Sequence, residues 1–236
     1  MTHISGFAAA PLGLLHHGAH ELRERHCHDE SFVAVVLKGG YQEAGDEGRW
    51  NVRPGHALIH HAFESHLDRF DAGGARVLIL ALPKELSDTA TVNGRIADPD
   101  HLVRLAERDA RAASTFFAET FVAAPQAPLD WPDLLADDLR RDGAFSLTHW
   151  ASRHDVRPET LSRGFRRAYG CTPKAYRAHV RARAALAAIR ATTESLATIA
   201  HRLHFTDQAH MTRAVALLTG STPQRLRQRQ LVTIQR

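Results

Sequence analysis

The feature that most constrains this 236-residue chain is an internal repeat: residues 146–177 recur, with one insertion, at 195–227. Ser146-Leu147-Thr148-His149-Trp150-Ala151 aligns with Ser195-Leu196-Ala197-Thr198-Ile199-Ala200 at an offset of 49, and Asp155-Val156 aligns with His204-Phe205. The offset then becomes 50 and holds for Leu161 and Met211, Arg163 and Arg213, Phe165 and Val215, Gly170 and Gly220, Thr172-Pro173 and Thr222-Pro223, and Arg177 and Arg227. A register that survives an insertion at a predicted turn marks two copies of one supersecondary unit.

Spacing defines the unit. Ser146 and Ser195 stand as N-caps before short apolar-periodic helices, with Leu147, Trp150 and Ala151 on one face in the first copy and Leu196, Ile199 and Ala200 in the second. Asp155 and His204 follow as turn pivots, both of residue types that enter the left-handed region more readily than most. A second helix comes next. It opens near Pro158 and buries Leu161, Phe165 and Ala168 in copy one; in copy two it opens at Asp207 and buries Met211, Val215 and Leu218. Short helix, tight turn and second helix make a helix-turn-helix.

The outer faces of the two second helices carry the kinds of side chain that a base-reading surface needs. They are Glu159, Thr160, Ser162, Arg163, Arg166 and Arg167 in copy one, and Gln208, Ala209, His210, Thr212 and Arg213 in copy two. Arginine clamps guanine through two parallel hydrogen bonds, glutamine does the same for adenine, and hydroxyls serve base or phosphate. A plain solvated helix face is the bland alternative, and the matched arginines inside a repeat weigh against it. Charge agrees. Residues 144–236 hold 16 Lys plus Arg against 4 Asp plus Glu, whereas residues 1–143 hold 14 against 22, so a formal charge of +4 conceals a basic module joined to an acidic one.

From about Asp133 to Arg229 the chain resembles the DNA-binding domain of the AraC/XylS regulators, through Ile199-Ala200, Leu203, Phe205, Asp207-Gln208, Met211, Arg213, Gly220, Thr222-Pro223 and Leu226-Arg227. The resemblance implies two helix-turn-helix units joined by a rigid helix, here Pro173 to about Arg190, with both recognition helices entering successive major grooves of a duplex operator. That connector is alanine-rich, and Tyr176, Val180, Ala184, Ala187 and Ile189 are expected to face the core. The chain departs from the family at Asp155 and His204 in place of turn glycines, and at Arg157 in place of an N-cap serine. It also has Val215 for a phenylalanine and Ala216-Leu217 for basic residues, so the second unit is expected to grip phosphate less firmly than the first.

Ahead of a proline-marked linker at Ala123–Pro128 and Pro132, the chain reads as β-structure. Strands are expected at Ser31–Leu37, Tyr41–Glu43, Arg49–Val52, Ala57–Ile59 and Arg76–Leu82, with turns at Lys38-Gly39-Gly40 and Gly45–Gly48. The set suggests a small barrel or sandwich. His26-Cys27-His28, Gly39, Gly48, Pro54-Gly55 and His66 resemble the two motif stretches of a cupin, the sensing domain usual in this regulator family. The expected class is therefore α+β with two domains: a cupin-like barrel with a closing helix at 1–125 and an all-α double helix-turn-helix at 130–236.

Histidine is crowded in the first half, with nine of 17 between positions 16 and 66. His26 and His28 alternate along one strand and so share a face. The cupin resemblance brings His66 across from them, places Phe32 where the family has a glutamate ligand, and leaves Glu30 out of register. His60 and His61 are further candidates, and His16, His17 and His20 are placed in a loop or first strand that covers the pocket. Three uses stay open: a divalent ion such as zinc, nickel or iron held by the histidines, an organic effector lined by His26, His28, His66, Phe32 and His60, or a vestigial barrel.

A helix is expected from about His101 to Val122, its apolar stripe of Leu102, Leu105, Ala106, Ala112, Ala113, Phe116, Phe117 and Phe121 either covering its own domain or forming a homodimer surface. No apolar run reaches the ~18 residues a membrane helix needs, the N-terminus lacks a secretion signal, and Cys27 and Cys171 read as reduced thiols, which together suggest the cytoplasm. The reading is a transcription regulator and not an enzyme, with duplex DNA, a small-molecule or metal effector and, for an activator, RNA polymerase as partners. The alternative is a cupin metalloenzyme with a DNA-binding appendage, which no nucleophile triad, phosphate loop or paired acid–base carboxylates support.

Overall fold

A computed structural model describes residues 5–8, 10–89, 92–124, 130–141 and 144–234, and divides into two compact units, His3–Asp133 and Leu134–Arg236. Of the expected linker, Pro125–Pro128 lie outside the described residues, whereas Ala123 belongs to a strand, Val122–Ala123, paired with Gly94–Arg95, and Pro132 lies in the first turn of a helix, Trp131–Arg141, where a proline is tolerated.

The first unit contains β1 (Ser5–Ala8), β2 (Gly13–His17), β3 (Leu22–His28), β4 (Phe32–Gly45), β5 (Arg49–Val52), β6 (His56–His60), β7 (Ser65–Ala81), β8 (Asn93–Arg95), the helices α1 (Pro99–Ala106) and α2 (Ala110–Thr120), and β9 (Val122–Ala123). All nine strands belong to one mostly antiparallel sheet built around β4 and β7, which run beside each other from Phe32↔Ala81 to Gly45↔His66. Each of the two has a different outer neighbour along its length: β6 then β5 beside β4, and β2 then β3 beside β7.

Strand β4 opens on an unbroken apolar run because both of its faces are covered. Phe32, Ala34 and Val36 pack with Tyr41, Leu58, Phe70, Val77 and Ile79 on one face. Val33 and Val35 pack on the other with Leu78, Leu80, Leu102, Ala113 and Phe117, so α1 and α2 cover that side. The expected single helix His101–Val122 is thus two. Asp109 interrupts it by capping α2, its carboxylate accepting from the backbone N–H of Arg111 and Ala112, a bond that competes with helix continuation. The apolar stripe is spent on the helices' own sheet.

The expected turn at Lys38-Gly39-Gly40 is also corrected. β4 continues through it, with irregular register between Val36 and Lys38 and between Gly39 and Tyr41. Gly39 has φ +71°, and a Cβ there would lie 2.0 Å from the Gly74 carbonyl oxygen; glycine is what lets the two long strands pass so closely. β7 likewise extends far beyond the expected Arg76–Leu82, beginning at Ser65.

The second unit contains α3 (Trp131–Arg141), which starts at its boundary, then α4 (Leu147–Arg153), α5 (Pro158–Tyr169), α6 (Pro173–Ala191), α7 (Leu196–Arg202), α8 (Gln208–Thr219) and α9 (Pro223–Ile234). The sequence repeat is a structural repeat down to single hydrogen bonds. Ser146 and Ser195 accept from the backbone N–H three residues on. Asp155 and His204 both lie at positive φ, 53° and 57°, and in each turn the next N–H closes on the helix: Val156 on Ala151 and Phe205 on Ala200, both at 2.9 Å. Gly170 and Gly220 end α5 and α8 in left-handed conformation. Arg177 donates to the Phe145 carbonyl at 3.1 Å, and Arg227 to the Glu194 carbonyl at 2.7 Å, each fastening the start of its copy.

The connector α6 spans the expected residues but presents a different face. Tyr176, His179, Ala182, Ala185, Leu186 and Ile189 are buried, while Ala184 and Ala187 are exposed and Val180 is half-buried. Treating His179 as a surface residue rotates the expected stripe away from its true position.

Gly39→Ala is expected to destabilise the chain by about 2 kcal/mol or more, because overpacking and a strained φ act together. Gly73→Ala, where a Cβ meets nothing within 4 Å, is expected to change stability by under ~1 kcal/mol. Urea titration of both variants, followed by circular dichroism, checks the difference.

Candidate nucleic-acid interface and metal centre

α5 and α8 bury matched positions, Leu161, Phe165 and Ala168 against Met211, Val215 and Leu218, so the opposite face of each helix points outward. Glu159, Thr160, Ser162, Arg163, Arg166 and Arg167 are all exposed on α5. On α8, Gln208, Ala209, His210 and Arg213 are exposed and Thr212 is half-buried. Cap chemistry differs between the helices: Asp207 accepts from the His210 N–H at 2.6 Å, whereas Arg157 makes no side-chain cap bond. The first helix-turn-helix copy has a further tie in α3, whose Asp138 accepts from the Trp150 indole N–H at 2.7 Å and so anchors α4.

The second site lies inside the sheet unit. His26 and His66 are directly opposed across β3 and β7, and His28 follows two residues on, so the three share a face. One nitrogen from each lies within 4.8 Å of the others. His26 Nδ1 lies 2.8 Å from the Glu24 carbonyl; a carbonyl only accepts, so Nδ1 carries the hydrogen and Nε2 the lone pair. His66 is buried, and its Nδ1 has no hydrogen-bond partner among the described residues, a deficit of ~1–3 kcal/mol unless a ligand or water fills it. Phe32 stands edge-on to His28 at 5.0 Å and stacks on His60 at 4.4 Å.

His60 borders this cluster without joining the nitrogen triad: its ring is 4.6 Å from His66 and its Nε2 is 3.5 Å from Glu43. His61 turns away, its ring bonded to the Thr89 carbonyl. His17 does not cover the triad; it stacks on Phe70 at 4.1 Å and pairs with Glu21. The adjoining cavity is about 10 Å³, room for one water, and is lined by Glu43, Trp50, Leu58, His60, Ser65 and His66. An organic effector therefore needs side chains to move before it enters.

Sequence reasoning missed what holds the triad in place. Arg25, the residue before His26 on β3, is buried against Asp46 and donates to the carbonyls of Ala44 and Ser65 at 3.0 and 2.9 Å. Asp46 also accepts from the Ser65 N–H at 2.9 Å. One ion pair thus joins β3, the β4–β5 turn and the start of β7, where His66 sits. It missed equally the facing carboxyls Glu43 and Asp68, paired across β4 and β7 and both buried.

Burial holds these groups neutral. It pushes His60 down to about 3 and His66 well below its ordinary value, with neighbouring imidazoles adding to the effect. It lowers His26 too. It raises Asp68 to about 7 and Glu43 well above the carboxylate range. Neutral imidazole is the form that ligates a metal, so three nitrogen donors and an unpartnered buried nitrogen fit a divalent ion.

Residues 150–229 match the family model described as helix-turn-helix domain. The C-terminal unit is therefore a DNA-binding domain. The matched residues lie within the stretch that resembles the AraC/XylS DNA-binding domain. Similar solved structures include the C-terminal domain of the response regulator yesN from Fusobacterium nucleatum, 21% identical over 40% of this chain and 94% of that one, with a TM-score of 0.37. A probable AraC family transcriptional regulator from Rhodopseudomonas palustris is 19% identical over 42% and 92%, with a TM-score of 0.37. ToxT from Vibrio cholerae is 8% identical over 90% and 96%, with a TM-score of 0.39. No curated protein matches the chain in sequence. Among the described residues no helix is long and apolar enough to cross a membrane.

The neutral interior predicts an unusual pH profile for the metal-free protein. A depressed imidazole gives stability that is present above pH ~6.5 and lost as pH falls toward the folded value. A raised carboxyl does the reverse: its contribution is present below pH ~4 and lost as pH rises toward the folded value, about 7 for Asp68. His26, His60 and His66 oppose Glu43 and Asp68, so the two carboxyls cancel most of the imidazole contribution and stability is expected to fall only gently as pH drops from ~6.5 to ~4.5. Asp68→Asn removes one carboxyl and is expected to steepen that fall by about 1.4 kcal/mol per unit. Urea melts at several pH values across that interval read both slopes.

Proposed function

We propose that the chain is a sequence-specific transcription regulator: α5 and α8 enter the major groove of a duplex operator, and the cupin-like N-terminal unit senses a divalent metal ion through His26, His28 and His66. The observation that carries the reading is the doubled helix-turn-helix, with Arg163 and Arg213 exposed at the same slot of two recognition helices. Each arginine is assigned to base edges, and Arg166 and Arg167 to phosphate. Metal at the triad adds a charge among the neutral imidazoles; its binding energy becomes a bias on the state of the sensing unit. With Phe32 at the position where the resemblance places a glutamate, the donor set is all imidazole, which favours zinc, nickel or iron over magnesium or calcium. A regulator of this kind works in the cytoplasm, where its operator lies.

Duplex selection with the full chain tests the DNA reading. Arg163→Ala or Arg213→Ala is expected to weaken binding by ~1–3 kcal/mol and relax base preference in one half of the selected site. Arg166→Ala and Arg167→Ala should weaken all sequences alike and flatten the salt dependence. Equal losses on specific and random duplexes for the first pair would move those arginines to the backbone. For the sensor, the purified protein incubated with zinc is expected to retain about one ion per chain after gel filtration, and His26→Ala or His66→Ala to retain none. Wild-type protein that emerges without zinc, nickel or iron transfers the site to an organic effector.

A further inference from the structure

The two recognition helices differ along the one stripe that flanks their shared arginine. On α8, Ala209, Arg213 and Leu217 follow at four-residue intervals and are all exposed, Leu217 by 78%. Their repeat counterparts on α5 are Glu159, Arg163 and Arg167, all charged and all exposed. The central arginine is kept and both flanks have become apolar. Leu217 has no part in the core, because the inner face of α8 is already filled by Met211, Val215 and Leu218.

We propose that Ala209 and Leu217 read the 5-methyl groups of thymines on either side of the base pair taken by Arg213, making the second helix-turn-helix a thymine-selective reader. The inference rests on the DNA-binding reading above. The thymine methyl is the apolar group that B-DNA displays in the major groove, and alanine and other small apolar surfaces are suited to it. An aliphatic side chain at the Leu217 position gains nothing from a phosphate, where Arg167 of the first copy finds a partner. A solvent-exposed leucine one turn from a base-reading arginine gains contact if the groove floor there carries a methyl. The two units then divide the labour: α5 binds by charge and hydrogen bonds to any duplex with the right G·C positions, while α8 adds little electrostatic affinity and discriminates T·A from its demethylated equivalent.

The test uses operators selected by the full chain from a random duplex pool. The half-site of α8 is located by the positions whose preference Arg213→Ala relaxes, and thymines flanking them are replaced by deoxyuridine, which removes the methyl and leaves pairing intact. Each replacement is expected to weaken wild-type binding about fourfold, the worth of one buried methyl-sized group, with no effect at thymines in the α5 half. Leu217→Ala is expected to bind the dT and dU forms equally at its position. Leu217→Arg is expected to tighten binding to all duplexes, steepen the salt dependence and also lose the distinction. Wild-type protein that binds dT and dU forms equally overturns the inference and leaves the regulator reading intact. So does a Leu217→Ala protein that keeps the full dT preference, or one whose main change is in oligomeric state, which would make Leu217 a protein contact. A chain that selects no duplex at all overturns the regulator reading and this inference with it.

Discussion

Everything inside the sheet unit depends on β4 and β7 lying side by side for most of their length. The pairing lets one strand serve two packing clusters, with alternate residues feeding each face, and it lets each strand take two successive neighbours. It is possible because Gly39 has no side chain where β4 meets the Gly74 carbonyl, and Gly74 has none where β7 meets the His17–Gly18 backbone. The histidine triad follows from it: β7 must reach past Gly74 to Ser65 before His66 can oppose His26. The Arg25–Asp46 pair then fixes the end of that long strand, using a fully buried charge pair whose remaining donors and acceptors meet backbone groups. Such a pair adds geometric definition more than net stability.

Local chemistry was legible in the sequence and long-range chemistry much less so. Ser146, Ser195, Asp155, His204, Gly170 and Gly220 act on backbone within a few residues, and each sits where the repeat placed it. Gly39-Gly40 misled because a glycine pair signals a turn locally, whereas here it answers a strand 35 residues away. Asp109 could have been read as a cap, since it stands between two apolar segments, but the continuous stripe of Leu and Phe hid the break. On α6 the buried His179 hid the true face, because a polar residue at a core position reverses the periodicity on which such a reading rests.

For the sensing site, alternation placed His26 and His28 on one face, and the cupin resemblance was needed to bring in His66. His60 was assigned to the same place and lies beside it, its Nε2 3.5 Å from the buried Glu43 carboxyl. The supporting residues were invisible for a physical reason. Arg25, Asp46, Glu43 and Asp68 are ionisable types that usually face water, and neither spacing nor composition distinguishes the rare ones turned inward. Their burial is a property of the closed sheet, with Glu43 facing Asp68 only because β4 and β7 are in register.

The paired clamps of Arg177 on the Phe145 carbonyl and Arg227 on the Glu194 carbonyl share a main-chain acceptor, and only Arg177 adds a side-chain contact, lying 5.1 Å over the Phe145 ring. A contact to a carbonyl oxygen is indifferent to which residue carries it, as Phe145 and Glu194 illustrate. Together with caps and turn pivots that also act on backbone, it separates the scaffold from its decoration. The outward face of either recognition helix can therefore change by mutation while the frame that presents it stays the same, and a duplicated module of this construction is free to let one copy hold its grip while the other explores new sites.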